Sequence, residues 1–167
     1  MDFSVLIDAA VNNSVSIGNV LAVLGASIGL GFAGYGASKG LGLSGAAAAG
    51  ATAEDEKNFS KFLVLEALPQ TQVIYAFVIA VLITLGVMGG RMTIEKGFVC
   101  IGVGIALAVM EGVSGVYQGV AAAAAVGAAA RNPKVSGKVI VYVVMVELTA
   151  LLGFVFSILM LTVNKVY

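Results

Sequence analysis

The sequence predicts an all-α membrane protein: four transmembrane helices arranged as two duplicated helical hairpins. Three observations predict it. Of 167 residues, 60% are hydrophobic and 11% charged, where an average soluble domain is nearer half and a quarter. The apolar residues fall into four runs, at about 17–50, 59–88, 98–130 and 139–163, each longer than the ~20 residues that span a bilayer as a helix. The second half also repeats the pattern of the first.

The first run reads GASIGLGFAGYGASKGLGLSG, with Gly25, Gly29, Gly31, Gly34, Gly36, Gly40, Gly42 and Gly45 at short spacings. Glycine weakens a helix in water, but in lipid small residues let backbones approach closely. The third run has Gly102, Gly104, Gly112, Gly115 and Gly119, then AAAAAVGAAA. Ordinary packing within a four-helix protein accounts for these residues. A tight inner ring of first and third helices accounts better for glycines on several faces. GLGFAG is no nucleotide loop, because no strand precedes it and it lies inside an apolar run.

The second run contains LEALPQTQVIYAF. Pro69 should kink this helix and free a carbonyl about one turn earlier. The fourth run carries one charge between Lys138 and Lys165, the carboxylate of Glu147. An unpaired carboxylate at mid-membrane costs a few kcal/mol (~3) to insert.

Short polar segments join the runs: ATAEDEKNFSK, GGRMTIEKG and ARNPKVSGK. The chain therefore divides into a first hairpin, 1–90, and a second, 91–167. Lys57, Lys61, Arg131, Lys134 and Lys138 lie in the two hairpin loops. Arg91, Lys96 and Lys165 lie at the other side, with Asp2, Asp8 and Glu95. This bias places the loops in the cytoplasm and both termini outside. Asp2 and Asp8 stand where a signal peptide would be basic, so the first helix is expected to be retained.

A shift of 77 residues lays Lys57 on Lys134, Lys61 on Lys138, Phe77 on Phe154 and Leu82 on Leu159. GASKG falls on GVYQG when the first loop is taken as slightly longer. The hairpins read as an old duplication in parallel orientation. The same shift lays Gln70 on Glu147, so only one hairpin carries the mid-helix carboxylate.

Nine basic and nine acidic residues give no case for nucleic acid. No histidine is present, which removes the commonest metal ligand and the usual base near neutral pH. The single Cys100 excludes a disulfide within the chain and reads as a small buried thiol.

Gln72 is 15 residues past Lys57, Glu147 is 13 past Lys134, and Gln118 is 13 before Arg131. By helical rise they lie within roughly 3 Å of one depth. Thr71, Tyr75 and a carbonyl freed by Pro69 belong to the same level. Oxygen donors of this kind suit a hard cation, and one carboxylate among neutral oxygens balances a monovalent ion. The amides and hydroxyls could instead serve only as hydrogen bonds between helices. A central glutamate weighs against that, because an ionisable residue inside the membrane is first a functional candidate.

Ala37-Ser38-Lys39-Gly40, Leu68-Pro69-Gln70-Thr71-Gln72 with Tyr75 and Phe77, Gly115-Val116-Tyr117-Gln118-Gly119, and Met145-Val146-Glu147 resemble the membrane-rotor c or K subunit of V-type and A-type ATPases. The likeness covers nearly the whole chain and is greatest to the sodium-translocating bacterial form. It implies a ring of identical subunits turning in lipid. The Na+ ligands it implies are the Leu68 carbonyl, the Thr71 hydroxyl, the amide oxygens of Gln72 and Gln118, and the Glu147 carboxylate, with Tyr75 locking the carboxylate. It further implies a stator subunit bearing an arginine, a central-stalk subunit docked on the cytoplasmic loops, and ATP hydrolysis by other subunits, in a bacterial cell membrane. A ring carrying H+, an independent channel or transporter, and a structural scaffold are the alternatives.

The sequence departs from the family at Gln70, where glycine is frequent, and at Leu148, where a hydroxyl is frequent. Glu66 and Glu111 are additional carboxylates. Lys39 is expected to snorkel toward Glu66 and form a structural pair. Glu111 has no assigned role, although the lumen of a ring is one place it could face.

Overall fold

The structure, a computed structural model, describes residues 17–90 and 92–167; Asp2, Asp8, Arg91 and the N-terminal segment discussed above lie outside the described residues. Helix α1 runs over Ile17–Glu54. A 3-10 turn, Glu56–Asn58, leads into α2, Phe59–Glu66. A second 3-10 turn, Leu68–Gln70, precedes α3, Thr71–Met88. Helix α4 covers Ile94–Arg131, and a third 3-10 turn, Pro133–Val135, leads into α5, Ser136–Val163. Among the described residues, four helical runs are long and apolar enough to cross a membrane, in two hairpins.

Local chemistry sets the ends. Thr93 caps α4 by accepting from the Lys96 amide at 3.4 Å. Glu95 in its first turn and Arg131 in its last complement the helix dipole. Asn132 accepts from the Lys134 amide at 3.2 Å at the return into α5. Gly90 turns the chain between hairpins at φ 66°. The helices α1 and α4 have 38 residues each, about 57 Å of rise, far more than a ~30 Å hydrocarbon core. Each therefore extends well beyond the apolar layer.

The expected kink takes the form of a 3-10 turn within the second helical run. Pro69 lacks an amide hydrogen, so the second run breaks into α2, the Leu68–Gln70 turn and α3. The Glu66 carbonyl exposed at the break accepts from Ser44 Oγ of α1 at 3.0 Å. The corresponding stretch of the second hairpin has no proline, and α5 is continuous.

Helices α1 and α4 meet along a glycine seam. A Cβ on Gly36 would run into the Gly112 carbonyl, and one on Gly40 into the Gly115 carbonyl. One on Gly104 would run into the Gly25 carbonyl. These backbones touch, as close packing of small residues in lipid allows. Helices α3 and α5 flank the pair. Ala22, Ile79, Ile83, Cys100, Val103, Leu107 and Leu161 pack at one end of the bundle. Phe62, Leu65, Ala122, Val126, Ala129 and Val143 pack at the other. A buried polar layer containing Gln72, Ser114 and Gln118 separates these two apolar cores. Cys100 is buried and free.

Outside, Phe32, Phe77, Phe98, Val109, Leu152 and Phe156 are exposed. Apolar surface this extensive suits lipid or neighbouring helices rather than water.

Candidate ion-binding site

The polar layer is held by three helical segments and the Pro69 break. In the turn at the break, the Leu68 carbonyl accepts from Thr71 Oγ1 at 3.1 Å. The same hydroxyl lies 3.3 Å from Gln72 Oε1. Gln72 projects from α3 into the interior and is wholly buried. Its Nε2 donates to Gln118 Oε1 of α4 at 2.6 Å and to Ser114 Oγ at 3.2 Å. Gln118, also wholly buried, donates from Nε2 to the Val143 carbonyl at 3.3 Å and to Glu147 Oε2 at 3.4 Å. Tyr75 Oη donates to Glu147 Oε1 at 2.8 Å.

The Leu68 carbonyl, Thr71, Gln72, Gln118, Glu147 and Tyr75 thus form one connected hydrogen-bonded group. Helical rise places them at one depth, and the structure joins their side chains. All the potential ligands are oxygens, and only one carries charge. Among the described residues no cluster of three or more His, Cys, Asp or Glu exists to hold a multivalent metal. The donor set fits a small hard monovalent cation.

Glu147 is half-buried, and its neighbours Met145 and Leu148 are exposed. The carboxylate therefore sits where the cluster meets the outer face of the protomer. Tyr75 reaches it from α3 with its ring stacked on Phe154, centroids 5.1 Å apart and planes at 25°. Tyr75→Phe keeps that stacking and removes only the hydroxyl. A hydrogen bond to a charged group contributes ~1.5–3 kcal/mol. The variant should therefore exchange its cation faster and bind it about tenfold more weakly, read from cation affinity and release rate.

Ser114 was not anticipated. It is buried, accepts from Gln72 and donates to the Val146 carbonyl at 3.0 Å. It thereby ties Gln72 to the backbone beside Glu147. Its position four residues before Gln118, on the same helix face, is the signal that could have found it.

The expected Lys39–Glu66 pair does not form. Lys39 is exposed and directs Nζ to the Tyr35 hydroxyl at 3.4 Å, one turn earlier. It also lies 5.8 Å from the Tyr35 ring centroid. Glu66 lies instead beside Gly45 of α1. Gly45 and Lys39 lie on different faces of α1, so Lys39 does not snorkel to Glu66. Lys39→Ala and Glu66→Gln should therefore have additive effects on thermal stability, within ~0.5 kcal/mol. A coupling well beyond that in the double mutant would restore the pair.

The described residues thus define a helical-hairpin membrane protein with an oxygen cluster around a single carboxylate. Residues 24–83 and 101–160 each match the ATP synthase C-subunit family. The chain belongs to that family and carries its unit twice, once per hairpin. It is an integral multi-pass membrane protein of the c and K type. It is 41% identical over 120 residues to the A-type ATP synthase subunit K of Methanocaldococcus jannaschii, an alignment covering 72% of this chain and 54% of that protein. It is also 41% identical over 115 residues to the V-type sodium ATPase subunit K of Enterococcus hirae, covering 69% of this chain and 72% of that protein. The chain thus spans about half the length of the first relative and nearly three quarters of the second.

Proposed function

We propose that the chain is a rotor-ring subunit of a V/A-type ATPase that binds Na+ and carries it across the membrane, driven by ATP hydrolysis on other subunits. The observation that carries this reading is the convergence of one carboxylate, two amides, a hydroxyl and a carbonyl at one level of the bundle. A proton carrier needs a tuned carboxyl and no group of five oxygens. The name of the Enterococcus relative, a sodium ATPase subunit, supports the same ion.

In this reading Na+ lies among Glu147, Gln118, Gln72, Thr71 and the Leu68 carbonyl. Its charge neutralises Glu147, so a loaded protomer can face lipid without the penalty of a bare carboxylate. Tyr75 holds the carboxylate turned inward while the rotor moves. Glu147 stands at the outer face of the protomer, where a fixed arginine of the stator can displace Na+ from it. Identical copies close the ring through their exposed apolar faces. The loops bearing Lys57, Lys61, Arg131, Lys134 and Lys138 face the cytoplasm and dock a central-stalk subunit, leaving both termini outside a bacterial cell membrane. The chain supplies the moving ion site and no hydrolytic chemistry.

Equilibrium binding of radiolabelled sodium to the purified ring tests this. One sodium per protomer, displaced by lithium but not by equimolar potassium, is the expected result. Failure to bind sodium, with proton uptake at Glu147 in its place, would make the ring a proton rotor.

A further inference from the structure

Glu111 on α4 takes no part in the cluster just described. It is wholly buried, and neither carboxyl oxygen has a hydrogen-bond partner among the described residues. It stands seven residues from Gln118 on the same helix face, about 10 Å away along the axis, with Ser114 between them. It lies within electrostatic reach of Glu147 and Tyr75. Its Oε1 lies 3.4 Å from where a Cβ on Gly153 of α5 would stand, so the glycine leaves space for the carboxyl.

The donors nearby are already committed. Ser114 Oγ donates to the Val146 carbonyl, and Ser157 Oγ, one turn beyond Gly153, donates to the Gly153 carbonyl at 2.7 Å. The Tyr75 hydroxyl donates to Glu147. An ionised carboxylate needs donors or a cation around it, and these groups offer neither. The Met110 thioether borders the same space at Gly153 as Glu111 Oε1, and a soft thioether is no ligand for sodium. A carboxylic acid is neutral, so burying it without donors or a cation costs far less than burying the carboxylate would.

We propose that Glu111 is a second cation site in each protomer, and that its cation is a proton held as a carboxyl O–H. The proton is separate from the ion at Glu147. Exchange at the outer-facing Glu147 leaves the buried proton in place. The protomer then presents one negative charge to one transported cation, where an ionised Glu111 would add a second charge close by. The proton site stands on the burial and partners of Glu111 alone; only its independence from sodium rests on the function proposed above.

Infrared difference spectroscopy of the intact purified ring tests it, comparing wild type, Glu111→Gln and Glu111→Asp at neutral pH. With saturating sodium, wild type should show a protonated-carboxyl C=O band that shifts in heavy water. Glu111→Gln should lack that band, and Glu111→Asp should move it. Absence of any such band in wild type, or its survival unchanged in Glu111→Gln, would overturn the proposal. If Glu111→Gln does not assemble, the wild-type spectrum and the Glu111→Asp shift still decide. A second band, lost on sodium addition and absent in Glu147→Gln, reports the Glu147 site. Its insensitivity to sodium would contradict the sodium reading and leave the Glu111 result standing.

Discussion

Glu147→Gln is expected to abolish sodium binding, weakening it on the order of a thousandfold, while the ring still assembles. The substitution is nearly isosteric. The amide oxygen can still accept from Tyr75, which now donates to Glu147 Oε1 at 2.8 Å. What disappears is the single charge that balances a monovalent cation among neutral oxygens. Removing one partner of a buried charge pair costs ~3–5 kcal/mol, and that loss falls on the ion. Stability should not fall with it, because an amide is easier to keep at membrane depth than an ionised carboxylate. If Glu147 served only to hold helices together, the pattern would invert: cation affinity would be irrelevant, and thermal stability of the ring would drop. Measuring both quantities on one preparation separates the two.

Gly40→Ala is expected to have the largest effect on the scaffold. A Cβ there would run into the Gly115 carbonyl and come within 2.9 Å of Pro69 Cβ. Neither is the free end of a flexible side chain, so the seam between α1 and α4 must open or the Pro69 turn must move. Overpacking of this kind costs ~1–3 kcal/mol. The displaced segment carries Leu68, Thr71 and Gln72, so sodium affinity should fall along with stability. Gly102→Ala serves as the reference, since a Cβ there meets nothing within 4 Å in the protomer. Thermal unfolding and sodium binding of the two variants give the comparison. Equal behaviour would mean that the seam tolerates a methyl group and that glycine matters there for another reason.

Much of the fold was legible because lipid imposes long apolar helices, and four such runs separated by polar loops leave few arrangements. The internal repeat was legible for the same reason: loop lysines and apolar residues recur at one shift, and the two family matches have the same offset. The break at Pro69 was visible as a kink, but its extent was not. Ser44 of α1 secures the Glu66 carbonyl, and such a long-range partner leaves no trace in local spacing.

The candidate site was legible by depth. Helical rise placed Gln72, Gln118 and Glu147 at one level, with Thr71 and Tyr75 beside the Pro69 kink, and the resemblance supplied the Leu68 carbonyl and the roles. The reach of a side chain does not fix its direction around a helix, and the Lys39–Glu66 expectation failed on that point: Lys39 points away, to Tyr35. Ser114 escaped notice because a lone serine in an apolar helix commonly bonds its own preceding turn, and here it bonds α3 and α5 instead. Glu111 was conspicuous as a charge, but its isolation within the bundle appears only once α4 and α5 are packed together.

Carbodiimide labelling of Glu147 in the purified ring, located by mass spectrometry and followed with and without sodium across pH, tests the central claim most directly. The reagent attacks a protonated carboxyl in an apolar setting. Sodium should protect Glu147 at constant ionic strength, potassium should not, and the sodium needed should rise as pH falls. Labelling that follows pH and ignores sodium would contradict the account, leaving Gln72, Thr71 and Gln118 as hydrogen bonds between helices around a proton-carrying glutamate.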